Sequence, residues 1–394
     1  MKDIKDFILE FSKYGKIEGE EGINRVFGSE EYSRAAKELK KIFESLHLDS
    51  YIDSVGNVHG IYRAGENNRK ELMLGSHLDT VKNGGMFDGL LGIAAGLFCI
   101  QRLIMEKRRL KYDLHLVASN GEEGNELGGT FGSRCMIGAI DVSAHEFMEK
   151  AKKYDFSVND ILMAKMDFSS ALAYLELHIE QGNCLINQQK DIGVVTGIVG
   201  LERYAIEVNG IENHSGTTAM SEREDALVRA SNIIVFADEL AKRYPDRFVA
   251  TFSRISVESN ALAVINRKVN TILEIRSVKK ELMKQFMNEI KCYCGEKFGD
   301  DVSIKPLIKK KPVQMEETIV KKIKQVCCEK QIDYMEMVSG ATHDGNIYAE
   351  KIPVGMIFVP SRDGISHSSK EWTNWEQCDL GAEVLYQTIL KINF

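Results

Sequence analysis

Proline is scarce in this chain, at 5 of 394 residues, and tryptophan scarcer still, at 2. No segment is low in complexity, and no internal repeat recurs at a spacing of roughly 20–50 residues. These absences exclude a disordered or collagen-like chain, a solenoid and a propeller. An excess of positive charge is also missing. Lys+Arg number 51 against 58 Asp+Glu, a net charge of −7 at pH 7. Such a chain has no global attraction for nucleic acid or for an anionic membrane surface. Its short basic run, Lys309-Lys310-Lys311, reads as a solvated loop. Long apolar runs are lacking too. The longest, Leu90 to Ile100, is broken by Gly92 and Gly96 and falls short of the roughly 20 residues of a spanning helix. The first residues, Met1-Lys2-Asp3-Ile4-Lys5-Asp6, carry no apolar core of a signal peptide, so the cytoplasm is the expected location. None of the eight cysteines forms a CxxC pair, and they read as reduced thiols. Cys292 and Cys294, two apart, read as part of a helix rather than a metal clasp.

What is present is ordinary globular material, 44% hydrophobic and 28% charged. The length exceeds one typical core and predicts two domains. Residues 34–46 place Ala35, Ala36, Leu39, Ile42 and Phe43 at helical spacing. Short apolar runs then end in polar, glycine-rich turns. Leu72-Met73-Leu74 leads to Gly75-Ser76-His77, Leu114 to Ala118 leads to Gly121-Glu122-Glu123, and Tyr174 to Leu177 leads to His178. Val354 to Val359 leads on towards His367. This alternation predicts an α/β domain with a mostly parallel sheet covered by helices.

The middle of the chain differs. Tyr204, Ile206 and Val208 alternate with polar residues, as do Val269, Thr271, Leu273 and Ile275, with Glu274 and Arg276 on the other face. A helix is expected from Ser221, with Glu224 completing a capping box. A second is expected from about Lys279 through Leu282, Phe286 and Ile290. With strands near 248–257 and 302–308, the order β-α-β-β-α-β predicts an inserted ferredoxin-like α+β unit over 197–305. The flanking 1–196 and 306–394 would form the catalytic, metal-binding domain.

Of nine histidines, His47, His59, His115 and His145 carry no chemical context. The other five lie among carboxylates and glycines beyond strand ends. In Gly75-Ser76-His77-Leu78-Asp79-Thr80, His77 and Asp79 point to one side of an extended segment, so one can bind a metal while the other supports it. Asp88 follows through the loop Asn83-Gly84-Gly85-Met86-Phe87-Asp88-Gly89. Glu122 and Glu123 are costly if both are buried and unpaired. A metal on one resolves this and leaves the other as a general base. His178 and His367 complete the set. His77, Asp88, Glu123, His178 and His367 offer three imidazoles and two carboxylates, which suits one or two borderline divalent ions such as zinc. All lie where an open α/β sheet places its ligands.

With these motifs in order, the sequence resembles the M20 metallopeptidase-like amidohydrolases. Within them it is closest in pattern to the hydantoinase/carbamoylase branch of N-carbamoyl-L-amino-acid hydrolases, allantoate amidohydrolases and β-ureidopropionases. The likeness runs from around Gly22 to the C-terminus. It also takes in Gly56-Asn57-Val58, Gly132-Ser133-Arg134, His178-Ile179-Glu180-Gln181-Gly182 and His214-Ser215-Gly216-Thr217-Thr218-Ala219-Met220. The resemblance implies two divalent ions, zinc by default with manganese, cobalt or nickel as alternatives. His77, Asp88 and His178 would hold one, and Asp88, Glu123 and His367 the other. It implies Glu122 as catalytic base, Asp79 supporting His77, and His214 acting from the lid. Gln181, His214, Asn260 and Arg276 match substrate-binding positions, and His343 belongs to a His-Asp dyad beside the site. The inserted domain would be the lid and the homodimer interface.

The pattern departs at Lys82 and Ala219, where proline is usual, at Ser215, and at Glu126-Leu127 near the metal ligands. The expected reaction is hydrolysis of a ureido C–N bond in a small ureido acid. A peptidase or aminoacylase on the same scaffold is the rival, and a catalytically silent metal-binding protein is the alternative of another class. Arg276 has its own rival role, a surface salt bridge to Glu274.

Overall fold

The computed structural model describes residues 3–64, 70–245, 248–259 and 261–393. The chain divides into two compact units, Met1–Thr196 with Met315–Phe394, and Gly197–Gln314. The expected junction at 305 falls inside a strand, Val302–Lys310, so the second unit runs on to Gln314. Lys309 and Lys310 end that strand and are not a loop.

In the first unit the strand order is Asp49–Ile52, Val58–Tyr62, Asp113–Ser119, Glu71–His77, Ala171–Ile179, Val354–Val359 and Ile192–Ile198, with Tyr334–Ser339 also pairing the last. The four central strands are mutually parallel. Glu71–His77, Asp113–Ser119 and Val354–Val359 are buried along their whole length. That follows from helices such as Leu90–Met105 and Trp375–Asn393 covering the sheet, and it is why these strands read as continuous apolar runs. Leu72, Leu74, Leu114, Leu116 and Leu177 are fully buried, each contributing about 1.5–3 kcal/mol by leaving water.

The register sets the carboxyl ends level. His77 pairs with Ser119, and His178 with Phe358. The turn 120–123 and the segment that follows Val359 therefore leave from the same end. Gly75 has a specific cause: a Cβ there would lie 1.9 Å from the Val117 carbonyl oxygen, so the two strands approach this closely only with glycine.

The second unit has four antiparallel strands in the order Val302–Lys310, Gly200–Asn209, Lys268–Ser277 and Val249–Val257. With helices Ala226–Ala241 and Lys280–Phe298 it is the ferredoxin-like arrangement. Val269, Leu273 and Ile275 pack with Ile233, Phe286 and Ile290 in one core. The first helix begins five residues later than Ser221. Asp225 is its N-cap, its side chain accepting from the Leu227 N–H, and Met220–Glu222 is a separate 3-10 turn. An aspartate one residue outside the helix caps it at the Leu227 N–H without the Ser221/Glu224 pair.

Candidate metal centre

Two histidines are fixed by the backbone before any carboxylate meets them. The His77 Nδ1–H donates to the Asp79 carbonyl at 2.9 Å. The His178 Nδ1–H donates to the Ile179 carbonyl at 2.9 Å. A carbonyl only accepts, so each ring carries a hydrogen on Nδ1 and turns Nε2 towards the site. Both Nε2 atoms face one oxygen: Asp88 Oδ1 lies 3.3 Å from His77 Nε2 and 3.1 Å from His178 Nε2. Asp88 Oδ1 is buried and has no hydrogen-bond donor. Three ligand atoms thus converge, and although burial opposes a charge on either ring, Asp88 outweighs it and holds His77 well above, and His178 above, the ordinary imidazole value.

The other oxygen of Asp88 meets a second group. His367 Nε2 is 3.5 Å from Asp88 Oδ2 and 3.3 Å from Glu123 Oε1. Among the described residues, His77, Asp88 and His178, and separately Asp88, Glu123 and His367, bring their ligand atoms within 4.8 Å of one another. The two triads share Asp88, one oxygen in each. Imidazole nitrogen and carboxylate oxygen form a donor set for borderline divalent ions, and the convergence on the buried Asp88 Oδ1 fits such an ion. A third group, Glu176, His178 and His343, lies behind the first and shares its His178.

Asp79 is completely buried. Its carboxylate lies 3.8 Å from His77 Nδ1, whose hydrogen goes to the Asp79 main chain instead. The carboxylate accepts from the backbone N–H groups of Gly121 at 2.9 Å, Glu122 at 3.2 Å and Glu123 at 3.1 Å. Asp79 therefore folds the turn that carries both glutamates, and supports His77 through its carbonyl. Glu122 comes within 3.9 Å of His77 Nε2. Gln181 donates from Nε2 to Asp88 Oδ2 at 2.7 Å, which puts it against the shared carboxylate. His343 is buried, edge-on to His178 at 4.6 Å, with Nε2 3.0 Å from Ser339 Oγ.

In the second unit, His214 is exposed on a two-residue strand. Its Nδ1 accepts from the N–H groups of Gly216 at 3.0 Å and Thr217 at 3.2 Å. The neutral ring therefore carries its hydrogen on Nε2 and presents a donor. Arg276 pairs with Glu274 at 2.8 Å, and Glu274 also meets Arg203, so the salt-bridge reading of Arg276 is realised. Asn260 lies outside the described residues.

Sequence reasoning missed several supporting groups. Glu371 accepts the N–H of Asp88, and Ser366 donates to its Oδ2. Glu176 accepts from Ser76 Oγ. Arg25, wholly buried, donates to the Leu78 and Phe11 carbonyls. None stands in a pattern that marks it, since each acts through a partner distant in sequence.

The electrostatics are those of a crowded anionic site. Burial first, then Asp88, pushes the Glu123 carboxyl up to about 8. Burial, helped by Glu123 and Asp344 and opposed by His77, pushes Glu122 well above its ordinary range. Burial raises Glu176 and Glu371 to about 7 each. Burial lowers His343 well below its ordinary value, and His178 adds to this, so the ring stays neutral.

Residues 73–391 match Peptidase family M20/M25/M40. The chain belongs to this family. It is 32% identical over 380 residues to an allantoate amidohydrolase of Escherichia coli (strain K12), covering 92% of this chain and 91% of that one. It is 32% identical over 400 residues to an N-carbamoyl-L-amino acid amidohydrolase of Geobacillus stearothermophilus, covering 98% and 97%. A hydantoinase/carbamoylase family amidase from Burkholderia multivorans has a similar structure. Its TM-score is 0.88 at 25% identity, over 99% of this chain and 97% of that one. The family is one of hydrolases, and the converging His, Asp and Glu side chains are consistent with metal dependence.

The raised carboxyls give a signed prediction. For metal-free protein, Glu123 near 8 and Glu176 and Glu371 near 7 stand above their unfolded value of 4.5. Their contribution to stability is full below 4.5 and is lost as pH rises through 7 and 8. Chelated protein should show a thermal midpoint that falls over that interval. Zinc at a hundredfold its Kd should add about 2.7 kcal/mol and flatten the fall. A midpoint that ignores both pH and zinc contradicts the site.

Proposed function

We propose that this protein is a binuclear metal-dependent amidohydrolase. It cleaves the ureido C–N bond of an N-carbamoyl-L-amino acid or an allantoate-like ureido acid, releasing ammonia and carbon dioxide. The observation that carries the reading is the pair of triads sharing Asp88, with Glu122 beside them. The full-length likeness to an allantoate amidohydrolase and an N-carbamoyl-L-amino acid amidohydrolase supports the substrate class.

His77, Asp88 and His178 would hold one divalent ion, and Asp88, Glu123 and His367 the other, zinc by default and manganese, cobalt or nickel where available. Bound there, such ions supply Lewis acidity, acidifying a water and polarising the ureido carbonyl. Glu122 takes the proton of the attacking water and passes it to the leaving nitrogen. Its burial, which favours the protonated carboxyl, suits the second half of that task. Asp79 keeps the turn under Glu122 rigid through three main-chain bonds. His214, with its hydrogen on Nε2, donates to the carbonyl oxygen as negative charge develops. Arg276 exchanges Glu274 for the substrate carboxylate, a two-point match for a guanidinium, and Asn260 and Gln181 orient the same end. His343 packs against His178 as a neutral ring.

The reading includes a homodimer formed through the ferredoxin-like unit. Val249–Val257 pairs on one side only among the described residues and is largely exposed, which is the kind of edge that pairs with a second copy. It also includes a cytoplasmic location. Among the described residues no helix is long and apolar enough to cross a membrane.

Ammonia release by metal-loaded protein decides the substrate class. N-carbamoyl-L-amino acids and allantoate should yield ammonia, and dipeptides and N-acyl amino acids should not be turned over. Turnover confined to the latter overturns the ureido reading in favour of a peptidase or aminoacylase. Glu122→Gln should keep the wild-type metal content and lose about 10²–10⁴-fold in kcat; loss of metal instead would make Glu122 a ligand. His214→Ala should lower kcat while metal content holds, and full turnover in that variant removes His214 from the mechanism.

A further inference from the structure

We propose that Glu371 is a positioning residue for the metal centre, setting the separation between Asp88 and His367 by bonding both of the segments that carry them. This rests on the metal-dependent reading above. Glu371 is 3% exposed and lies four residues after His367. Its Oε1 accepts from the backbone N–H groups of Phe87 at 2.9 Å and Asp88 at 3.1 Å. Its Oε2 lies 2.9 Å from Ser366 Oγ, and Ser366 Oγ lies 2.6 Å from Asp88 Oδ2. One side chain thus meets the main chain of Asp88 and, through Ser366, the very oxygen that faces His367.

The loop around Asp88 is shaped to this carboxylate. A Cβ on Gly85 would lie 2.1 Å from Glu371 Oε1, so the loop closes on the carboxylate only where residue 85 has no side chain. Phe87 is held from the same segment by the rings of Trp372 at 5.6 Å and Trp375 at 5.1 Å. The segment from Pro360 to Thr373 is closed at its base. The Arg362 N–H donates to the Trp372 carbonyl at 2.8 Å, and Thr373 Oγ1 to the Pro360 carbonyl at 3.0 Å. His367 sits within this closed segment at φ 55°.

The need for such an anchor is uneven across the ligands. His77 and His178 are buried, and backbone carbonyls hold their rings. The His367 side chain is 50% exposed, so burial does not orient it, and its place depends on the segment that Glu371 ties down. Bonds from main-chain N–H to a carboxylate are strong and directional. Groups that orient metal ligands in this way typically govern affinity by about 10–100-fold.

Zinc titration of chelated protein against a chromophoric competitor, without substrate, tests the assignment. Wild-type chain should take up two equivalents. Glu371→Ala should keep one tight equivalent and bind the second about 10–100-fold more weakly, with kcat lowered, KM unchanged, and activity partly recovered by excess zinc. Glu371→Gln retains an acceptor oxygen for the two N–H groups and should restore most of the affinity. Ser366→Ala, which keeps those two bonds, should weaken the second equivalent less than Glu371→Ala. Wild-type affinity for both equivalents in Glu371→Ala overturns the inference alone. So does loss of the fold in Glu371→Ala together with no recovery in Glu371→Gln. Absence of zinc uptake by the wild-type chain overturns the metal reading, and this inference with it.

Discussion

The meeting of Asp88 with the Nε2 atoms of two buried histidines is the constraint around which the first unit is arranged. Backbone carbonyls commit both rings to turn Nε2 towards the same carboxylate oxygen. With neither a proton nor a cation between them, buried ring lone pairs and a carboxylate repel. A divalent cation would turn that repulsion into coordination. The second triad repeats the logic on the other oxygen of the same residue. Asp88 is therefore the point through which the two triads are linked.

The fold meets this constraint in two steps. Parallel pairing in level register brings the carboxyl ends of four strands to one edge, which delivers His77, the turn after Ser119, His178 and the segment after Val359. Buried carboxylates then accept main-chain N–H groups and fix the connecting loops. Asp79 does this for the Gly121–Glu123 turn, and Glu371 for the Asp88 loop. Asn57 adds a neutral version, its Oδ1 accepting from the Asn120 N–H at 2.8 Å. The result is a centre whose ligands are placed by backbone geometry, with side-chain packing in support.

Much of this was legible in the amino-acid order. Strands buried on both faces announce themselves as unbroken apolar runs, and the polar turns after them mark where ligands gather. The alternating strands of the second unit separated its inner face from the face carrying Glu274 and Arg276. Other features were beyond a local reading. The helix at Ala226 starts from Asp225 because capping depends on which residue leaves the helical path, and Ser221 offers the same capping chemistry four residues earlier. Gly56-Asn57-Val58 and Gly132 looked like bare landmarks. In the structure a Cβ on Gly132 would lie 2.0 Å from Asn57 Oδ1, so they record a packing contact between segments far apart in sequence. Glu371 and Arg25 were invisible for the same reason: each reaches main-chain atoms far away in sequence, which no side-chain motif reveals.

The most direct measurement is anomalous diffraction at the zinc edge from crystals grown with zinc. The account predicts two peaks per chain. One should lie among His77, Asp88 and His178, the other among Asp88, Glu123 and His367, with one Asp88 oxygen on each. No peak at these residues, or ions bound without Asp88, would contradict it.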